Sequence, residues 1–343
     1  MLLAGDIGGT NVRLDFFEDD GVTRIDHPAR QRVKGVRLPM TYAKCEILDA
    51  LRMFADDFAD ELAGVSKSCF GIAGKITEDE DGIAHVAMAN RPNEDVTDAA
   101  ISKVLDAKVR LVNDMAAHIA SVGVASKETL QPGREIERGV RAVLMPGTGC
   151  GVGFAVHDGS HHRASPSEGG HFELPPRTVE QGRLLRSLRS LLPAERNLYR
   201  VTYEAVLSGP GLENIYACLA NPETPRLLDG IDGRAITDVV GGRSSPADPQ
   251  LAATTTRLFM EFLGQYAGNL GVLLLPTAGL WIGGNIADAV RRPDPDTFDD
   301  RVIRAFLGAG SPKHRDVLEE IPVHLLDPID TGLLGAAQTA TRM

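Results

Sequence analysis

Residues 2–17 read LLAGDIGGTNVRLDFF and residues 142–157 read AVLMPGTGCGVGFAVH. Each is an apolar run, a turn crowded with glycine, and a second apolar run: Leu2–Ala4 into Val12–Phe17, and Ala142–Met145 into Phe154–Val156. In the first, Val12, Leu14 and Phe16 alternate with Arg13, Asp15 and Phe17, the period of a strand with two unlike faces. Both stretches therefore predict β-hairpins. A Rossmann site is disfavoured, because the spacing is not Gly-x-Gly-x-x-Gly and a strand, not a helix, follows. A Walker A sequence occurs nowhere in the chain. The return of one pattern after about 140 residues predicts two similar α/β halves.

The flanking sequence fits that frame. Met40–Leu62 places Ile47, Leu51, Phe54, Phe58 and Leu62 at helical spacing and predicts one amphipathic helix. Further helices are expected at Asp98–Leu105, Met115–Val124, Thr178–Leu192 and Thr254–Leu275, and from Thr331 onward. Strands are expected at Ser68–Ala73, Ile83–Met88, Val109–Val112, Gly279–Ile282 and Val323–Leu326, with another near Thr23–His27. Ser126–Arg141 reads as a charged surface loop or hinge, and Asn221–Pro249 and Arg291–Pro295 as Pro- and Gly-rich links. Strands alternating with helices imply an α/β architecture. The 343 residues suggest two domains. The expected division is a small α/β domain of residues 1–124 plus 325–343 and a large one of residues 125–324.

Composition narrows the function. With 36 basic and 47 acidic side chains the net charge is −11, which argues against a binder of nucleic-acid phosphates. Cys45, Cys69, Cys150 and Cys218 are scattered, with neither zinc nor disulfide spacing, and fit a reducing cytoplasm. The opening MLLAGDIGGTN lacks a basic n-region, so no signal peptide is expected. Leu270–Gly284 is too short and too broken by Pro276 and glycine to span a membrane.

The chemistry starts in the two turns. Gly8 and Gly9 free the backbone to turn successive N–H groups toward one anion, while Thr10 and Asn11 add donors. Asp6 supplies a carboxylate suited to Mg²⁺, which keeps several waters and takes few protein ligands. Gly147-Thr148-Gly149 repeats the arrangement, and two such turns would clamp a polyphosphate. Asn113-Asp114 ends a buried strand and opens a helix, the place where open α/β sheets put ligands. A carboxylate there can orient an alcohol and take its proton during phosphoryl transfer, or can serve as a helix N-cap.

The motifs GDIGGTN (5–11), LVND (111–114), GTGCGVGFA (147–155), SEGGH (167–171), TYEAVLSGPG (202–211), LWIGGNI (280–286) and GLLGAA (332–337) lie in order along nearly the whole chain. Together they resemble the bacterial glucokinase family. The resemblance implies a two-lobed, actin-like ATPase (ribonuclease H-like) fold with a central cleft, whose lobes close over a hexose. It implies ATP as phosphate donor, with Mg²⁺, and Asp114 as the base with Asn113 on the sugar. Glu168, His171 and Glu204 become the sugar cradle, a role that needs fixed carboxylates and a donor for vicinal hydroxyls. The nucleotide falls to Gly5, Asp6, Ile7, Gly8, Gly9, Thr10, Asn11, Gly147, Thr148 and Gly149, with Gly283, Gly284 and Gly332 at adenosine. Glycine at 283–284 serves helix–strand packing equally well. Metal ligation through Glu168-x-x-His171 is disfavoured by the two glycines between, and His161 and His162 read as exposed loop residues.

The expected activity is glucose + ATP to glucose 6-phosphate + ADP, in the cytoplasm, without nucleic-acid or membrane partners and compatible with a homodimer. One departure bears on the sugar: where the family carries Asn-x-x-Trp, the chain reads Asn90-Arg91-Pro92-Asn93, and Gly74-Lys75 replaces the usual Gly-Pro. The alternatives are a kinase of another hexose or amino sugar, and a non-catalytic sugar-binding regulator. The regulator reading expects a helix-turn-helix ahead of the first hairpin.

Overall fold

The computed structural model describes residues 1–8, 11–26, 32–33, 36–37, 39–43, 45–88, 91, 94, 96–192, 200–310, 312–327 and 331–343. The chain opens with β1 (Leu2–Ile7), β2 (Asn11–Phe17), β3 (Arg32–Val33), β4 (Val36–Arg37) and β5 (Met40–Ala43). It continues with α1 (Ile47–Asp57), α2 (Ala59–Leu62), β6 (Lys67–Ile72), β7 (Lys75–Glu78), β8 (Ala84–Ala87), β9 (Val96–Thr97), α3 (Asp98–Leu105), β10 (Val109–Asn113) and α4 (Asp114–Ser121). Next come β11 (Lys127–Gln131), β12 (Arg141–Pro146), β13 (Cys150–His157), β14 (His162–Ser167), α5 (Val179–Leu191), α6 (Gly209–Ala220), α7 (Gly233–Val240) and α8 (Pro249–Leu274). The chain closes with β15 (Leu280–Ile282), α9 (Asn285–Arg291), α10 (Pro295–Leu307), α11 (Arg315–Glu319), β16 (Val323–Leu326) and α12 (Thr331–Ala340).

These elements form two compact units, one of Met1–Ser126, Ala164–Pro166 and Ile329–Met343, the other of Lys127–Arg163 and Ser167–Pro328. The main sheet of the first has the order β10-β6-β1-β2-β5, and that of the second β11-β16-β15-β12-β13-β14. Set aside the extra edge strand β11 and the two orders coincide. In each, the glycine hairpin is antiparallel (β1 with β2, β12 with β13) and its first strand pairs parallel with the next neighbour (β6, β15). The repeated motif thus marks a repeated fold.

Strand alternation distributes the first unit's core over both faces of its sheet. Leu3, Ile7, Leu14 and Phe16 pack with Phe54, Phe58 and Phe70 on one side. Leu2, Ala4, Phe17 and Cys69 pack under Leu333, Ala336, Ala337 and Ala340 of α12 on the other. Asp6 continues the Leu2–Ala4 face, so period two alone aims it at the α12 side. The second unit is built around α8, whose Phe259, Phe262, Leu263 and Tyr266 meet Leu144, Val152, Leu280 and Ile282 of the sheet.

Several expected elements are corrected. The helix read over Met40–Leu62 begins only at Ile47, because Met40–Ala43 is claimed by antiparallel pairing with Asn11–Leu14. Near Thr23–His27, Arg24 forms only an isolated bridge to Phe17, and residue 27 lies outside the described residues. Ser126–Arg141 is not wholly loop: Lys127–Gln131 pairs antiparallel with β16, and the Gln131 amide donates to the carbonyls of Leu318 and Ile321, each at 2.8 Å. The link Asn221–Pro249 contains α7, started by Asp232, whose side chain accepts from Ala235 N–H at 2.7 Å. Pro249 and Pro295 open helices behind the capping residues Asp248 and Asp294, since proline costs nothing where a helix N–H has no partner. His162 lies in β14, half-buried, with its Nε2 2.9 Å from the Gly139 carbonyl.

His324 gives the second unit a pH dependence. It pairs in register with Trp281 of β15, their rings 5.3 Å apart, and its Nδ1 lies 3.1 Å from Thr129 Oγ1. Burial, reinforced by Lys127, pushes its pKa from 6.5 down to about 4, with Glu135 opposing. The unfolded chain therefore takes up the proton first. The stability contributed by the neutral ring is complete above pH 6.5 and drains as pH falls from there to about 4. Trp281, the sole tryptophan, reports on this spot. Denaturant titrations followed by its fluorescence should lose less stability between pH 7 and 5 in His324→Leu than in the wild type; equal losses would refute the assignment.

Candidate active site

In the first unit the parallel strands β1, β6 and β10 run side by side, with Asp6, Gly71 and Val112 in one register row and Ile7, Ile72 and Asn113 in the next. Their carboxyl ends share one edge, and at a strand spacing of ~4.8 Å the backbones at Asp6 and Asn113 lie ~10 Å apart. Gly71, between them, leaves room for α4: a Cβ there would stand 2.9 Å from Ala117 Cβ and 3.8 Å from Asp114 Cα.

Asn113 caps α4, its Oδ1 accepting from Met115 N–H at 3.0 Å, while its Nδ2 donates to the Gly74 carbonyl at 3.1 Å. Asp114 is the first helical residue, and its Oδ1 also accepts from Met115 N–H, at 2.9 Å. Both side chains thus accept from the same N–H of α4, and Asp114 stands in the helix's first turn at the strand's end.

Asp6 is held from two sides. Arg13, its cross-strand partner, places Nη1 3.4 Å from Asp6 Oδ2. On the other side is Gly332, in the first turn of α12, where a Cβ would come within 2.8 Å of Asp6 Cγ. The first turn of α12 and the Arg13-paired carboxylate of Asp6 are thereby juxtaposed. A single, partly solvated carboxylate matches Mg²⁺, which retains most of its water. Among the described residues no group of three or more His, Cys, Asp or Glu forms a metal cage. Gly8 N–H donates to the Asn11 carbonyl at 2.9 Å across the turn, and Gly9 and Thr10 lie outside the described residues. Gly5 and Ile7 face inward: Ile7 is buried, and a Cβ on Gly5 would overlap the Phe70 ring. Only their backbones can serve a ligand.

In the second unit the structure brings Glu168, His171, Glu204 and the glycine turn 147–149 together. Glu168 precedes a 3-10 turn, Gly169–His171, and its Oε2 is 3.8 Å from His171 Nε2. Glu204 lies in another, Tyr203–Ala205. The two turns are joined by Tyr203 N–H donating to the Phe172 carbonyl at 3.0 Å. Glu204 Oε2 accepts from Cys150 N–H at 3.0 Å, and a Cβ on Gly149 would be 2.6 Å from the same oxygen. Gly170 has equal need to be glycine, since its Cβ would lie 2.0 Å from the Cys150 carbonyl oxygen. The Cys150 thiol is buried, and burial together with the Glu204 charge pushes its pKa upward, so it is packing rather than nucleophile.

The glycine turn is closed by Gly147 N–H donating to the Gly149 carbonyl at 2.8 Å, and is tied to the start of α6 by Gly209 N–H donating to the Gly147 carbonyl at 2.9 Å. Thr148 is exposed at its tip, and a Cβ on Gly147 would meet open space. Gly284, at φ 91°, caps α9 against the same hairpin, where a Cβ would be 2.2 Å from the Pro146 carbonyl. Gly283 backs onto Met145. Close packing thus accounts for both glycines, without removing their backbones from reach of a ligand. Arg13, Tyr203 and Tyr266 were not singled out from sequence. The Asp6–Arg13 register follows from the hairpin's alternation, whereas nothing local to Tyr266 announces its distant partners.

The sequence profile of the family described as Glucokinase matches residues 3–343. A glucokinase from Trichormus variabilis is 29% identical over 361 aligned residues, covering 100% of this chain and 99% of the relative. Among solved structures, a glucokinase from an Antarctic psychrotroph superimposes with a TM-score of 0.73 at 22% identity, covering 100% of this chain and 99% of the other. A Balamuthia mandrillaris glucokinase in complex with glucose gives 0.75 at 19% identity, covering 99% and 93%. Those likenesses establish the actin-like sugar-kinase fold over the full length.

Proposed function

The chain belongs to the glucokinase family, and on that premise we propose that it transfers the γ-phosphoryl group of ATP to the 6-hydroxyl of glucose, with Asp114 as general base. The observation that carries the assignment of the base is the pair Asn113–Asp114 at the carboxyl end of β10, which sets the Asp114 carboxylate in the first turn of α4, on the sheet edge where open α/β folds place ligands. In the reaction the sugar oxygen bonds to the γ-phosphorus as the bond from phosphorus to the β–γ bridging oxygen breaks. The hydroxyl proton passes to the Asp114 carboxylate and ADP leaves. Glu168, Glu204 and His171 hold the other hydroxyls, and the backbone of Thr148 and Gly149 serves the phosphates, the Gly8 and Gly147 N–H groups being donated within their own turns. Mg²⁺, when bound with ATP, neutralises charge on the phosphates, and Asp6 is the residue suited to orient its waters.

The free, largely buried cysteines support assignment to a reducing cytoplasm. None of the described helices is long and apolar enough to cross a membrane.

The choice of sugar is the open variable, since Asn93 stands where the family carries Trp and lies outside the described residues. A coupled ADP-release assay over glucose, mannose and glucosamine should show Mg·ATP-dependent turnover, with glucose preferred. Failure of all three would sink the kinase reading, and preference for another hexose would correct only the substrate.

A further inference from the structure

Glu168 and His171 are 89% and 59% exposed at their side chains, so their own packing does not fix where they point. Their positions are set by the backbone turn that bears them, and beneath that turn lies a pair of buried tyrosines. Tyr203 and Tyr266 stack face to face, centroids 3.8 Å apart and planes within 7°. Tyr266, from α8, donates its hydroxyl to the carbonyl of Gly169, the residue after Glu168. Tyr203 immediately precedes Glu204, and its N–H binds the carbonyl of Phe172, the residue after His171.

We infer that Tyr266, through its bond to Gly169 and its stack on Tyr203, is a positioning residue for sugar recognition, locking the two turns that carry Glu168, His171 and Glu204 onto one helix. The inference rests on the assignment of those three residues to the sugar. The pair is anchored in turn: Asn269, nearly one helical turn beyond Tyr266, donates to Tyr203 Oη at 2.7 Å, and Arg177 Nη2 donates to Asn269 Oδ1 at 2.9 Å. Gly169 makes the contact possible, because a Cβ there would lie 2.8 Å from Tyr266 Oη. Burial raises both phenol pKa values, so Tyr266 remains a neutral donor throughout the working pH range. Sites need their polar groups held within fractions of an ångström, and exposed side chains obtain that only from a rigid support.

Tyr266→Phe removes the donor and keeps the ring. The Gly169 carbonyl retains a second partner, the Phe172 N–H at 2.9 Å, so no buried acceptor is orphaned and the fold should hold. The expected result is a KM for glucose raised roughly three- to tenfold, the worth of one neutral hydrogen bond. The KM for ATP and the melting temperature should stay at wild-type values. Gly169→Ala, which pushes the turn off the hydroxyl, should reproduce the glucose effect. An unchanged glucose KM in Tyr266→Phe, or a parallel loss in both KM values and in melting temperature, overturns the inference. Glu204→Gln separates the two levels. If it raises the glucose KM while Tyr266→Phe does not, only the positioning role fails; if it too leaves glucose KM untouched, the sugar-cradle assignment fails with it.

Discussion

Asp114→Asn should bind glucose with a KM within a few-fold of the wild type and turn it over at least ~100-fold more slowly, the lower end of what a positioned general base contributes. The substitution is close to isosteric. Asn can present its own Oδ1 to Met115 N–H, as Asp114 does at 2.9 Å, and the capping bond from Asn113 at 3.0 Å is untouched. Loss of helix α4 is therefore not a competing explanation, and circular dichroism and melting temperature should match the wild type. What is lost is the proton acceptor. A fall confined to kcat, and to kcat/KM by the same factor, is the signature of an interaction made only in the transition state. A mutant kcat within tenfold of the wild type removes Asp114 from the role of base. The contrasting variant is Asn113→Ala, which removes a cap worth about 0.5–2 kcal/mol and so should register in stability as well as in sugar binding.

That such a residue could be singled out from sequence owes to how local its signal is. The passage from Val109–Val112 into Asn113-Asp114 and then into a helix is complete within a dozen residues, and both glycine hairpins are equally self-contained. The errors fall where a distant partner decides. Met40–Ala43 has a sequence that extends a helix, yet the edge of β2 recruits it as a strand. Lys127–Gln131 is charged enough to read as loop, and becomes a strand because β16 needs an outer neighbour. Pro249 and Pro295 read as breaks and are starts, a distinction carried by the aspartates before them. The glycines divide the same way. At Gly147 a Cβ would meet open space, whereas Gly5, Gly170 and Gly284 are shaped by Phe70, Cys150 and Pro146, which no spacing rule connects to them. The support beneath the turns that carry Glu168, His171 and Glu204 was illegible for that reason: Tyr266 belongs to an apolar helix stripe, and only folding shows its hydroxyl against Gly169.

Gly335→Ala is expected to be the most damaging single methyl in the first unit. A Cβ at Gly335 would lie 1.6 Å from the carbonyl oxygen of Ala117 and 2.4 Å from its carbon, so α12 and α4 meet backbone to backbone. In an open helix the same change gains about 1 kcal/mol of helix propensity. Here the overlap is with backbone, which no rotamer can relieve, and overpacking that forces such shifts costs typically 1–3 kcal/mol and occasionally more. The helices must part, and what they carry parts with them. α12 covers Leu2, Ala4 and Cys69 through Leu333, Ala336 and Ala337, and its first residue, Thr331, places Oγ1 2.9 Å from His118 Nδ1 on α4. Amide exchange in peptides from α4 and α12 should accelerate together, while peptides of the second unit stay protected. Local exchange is the appropriate readout because a chain of two units need not unfold in one step. Gly332→Ala, one turn earlier, provides the comparison: the three atoms nearest its Cβ are those of the Asp6 carboxylate, at 2.8–3.0 Å, the end of a side chain that can swing aside. That variant should keep wild-type exchange and raise the KM for ATP. Wild-type exchange in Gly335→Ala would mean that the helices are not in contact there, and an unchanged ATP KM in Gly332→Ala would detach Asp6 from the nucleotide.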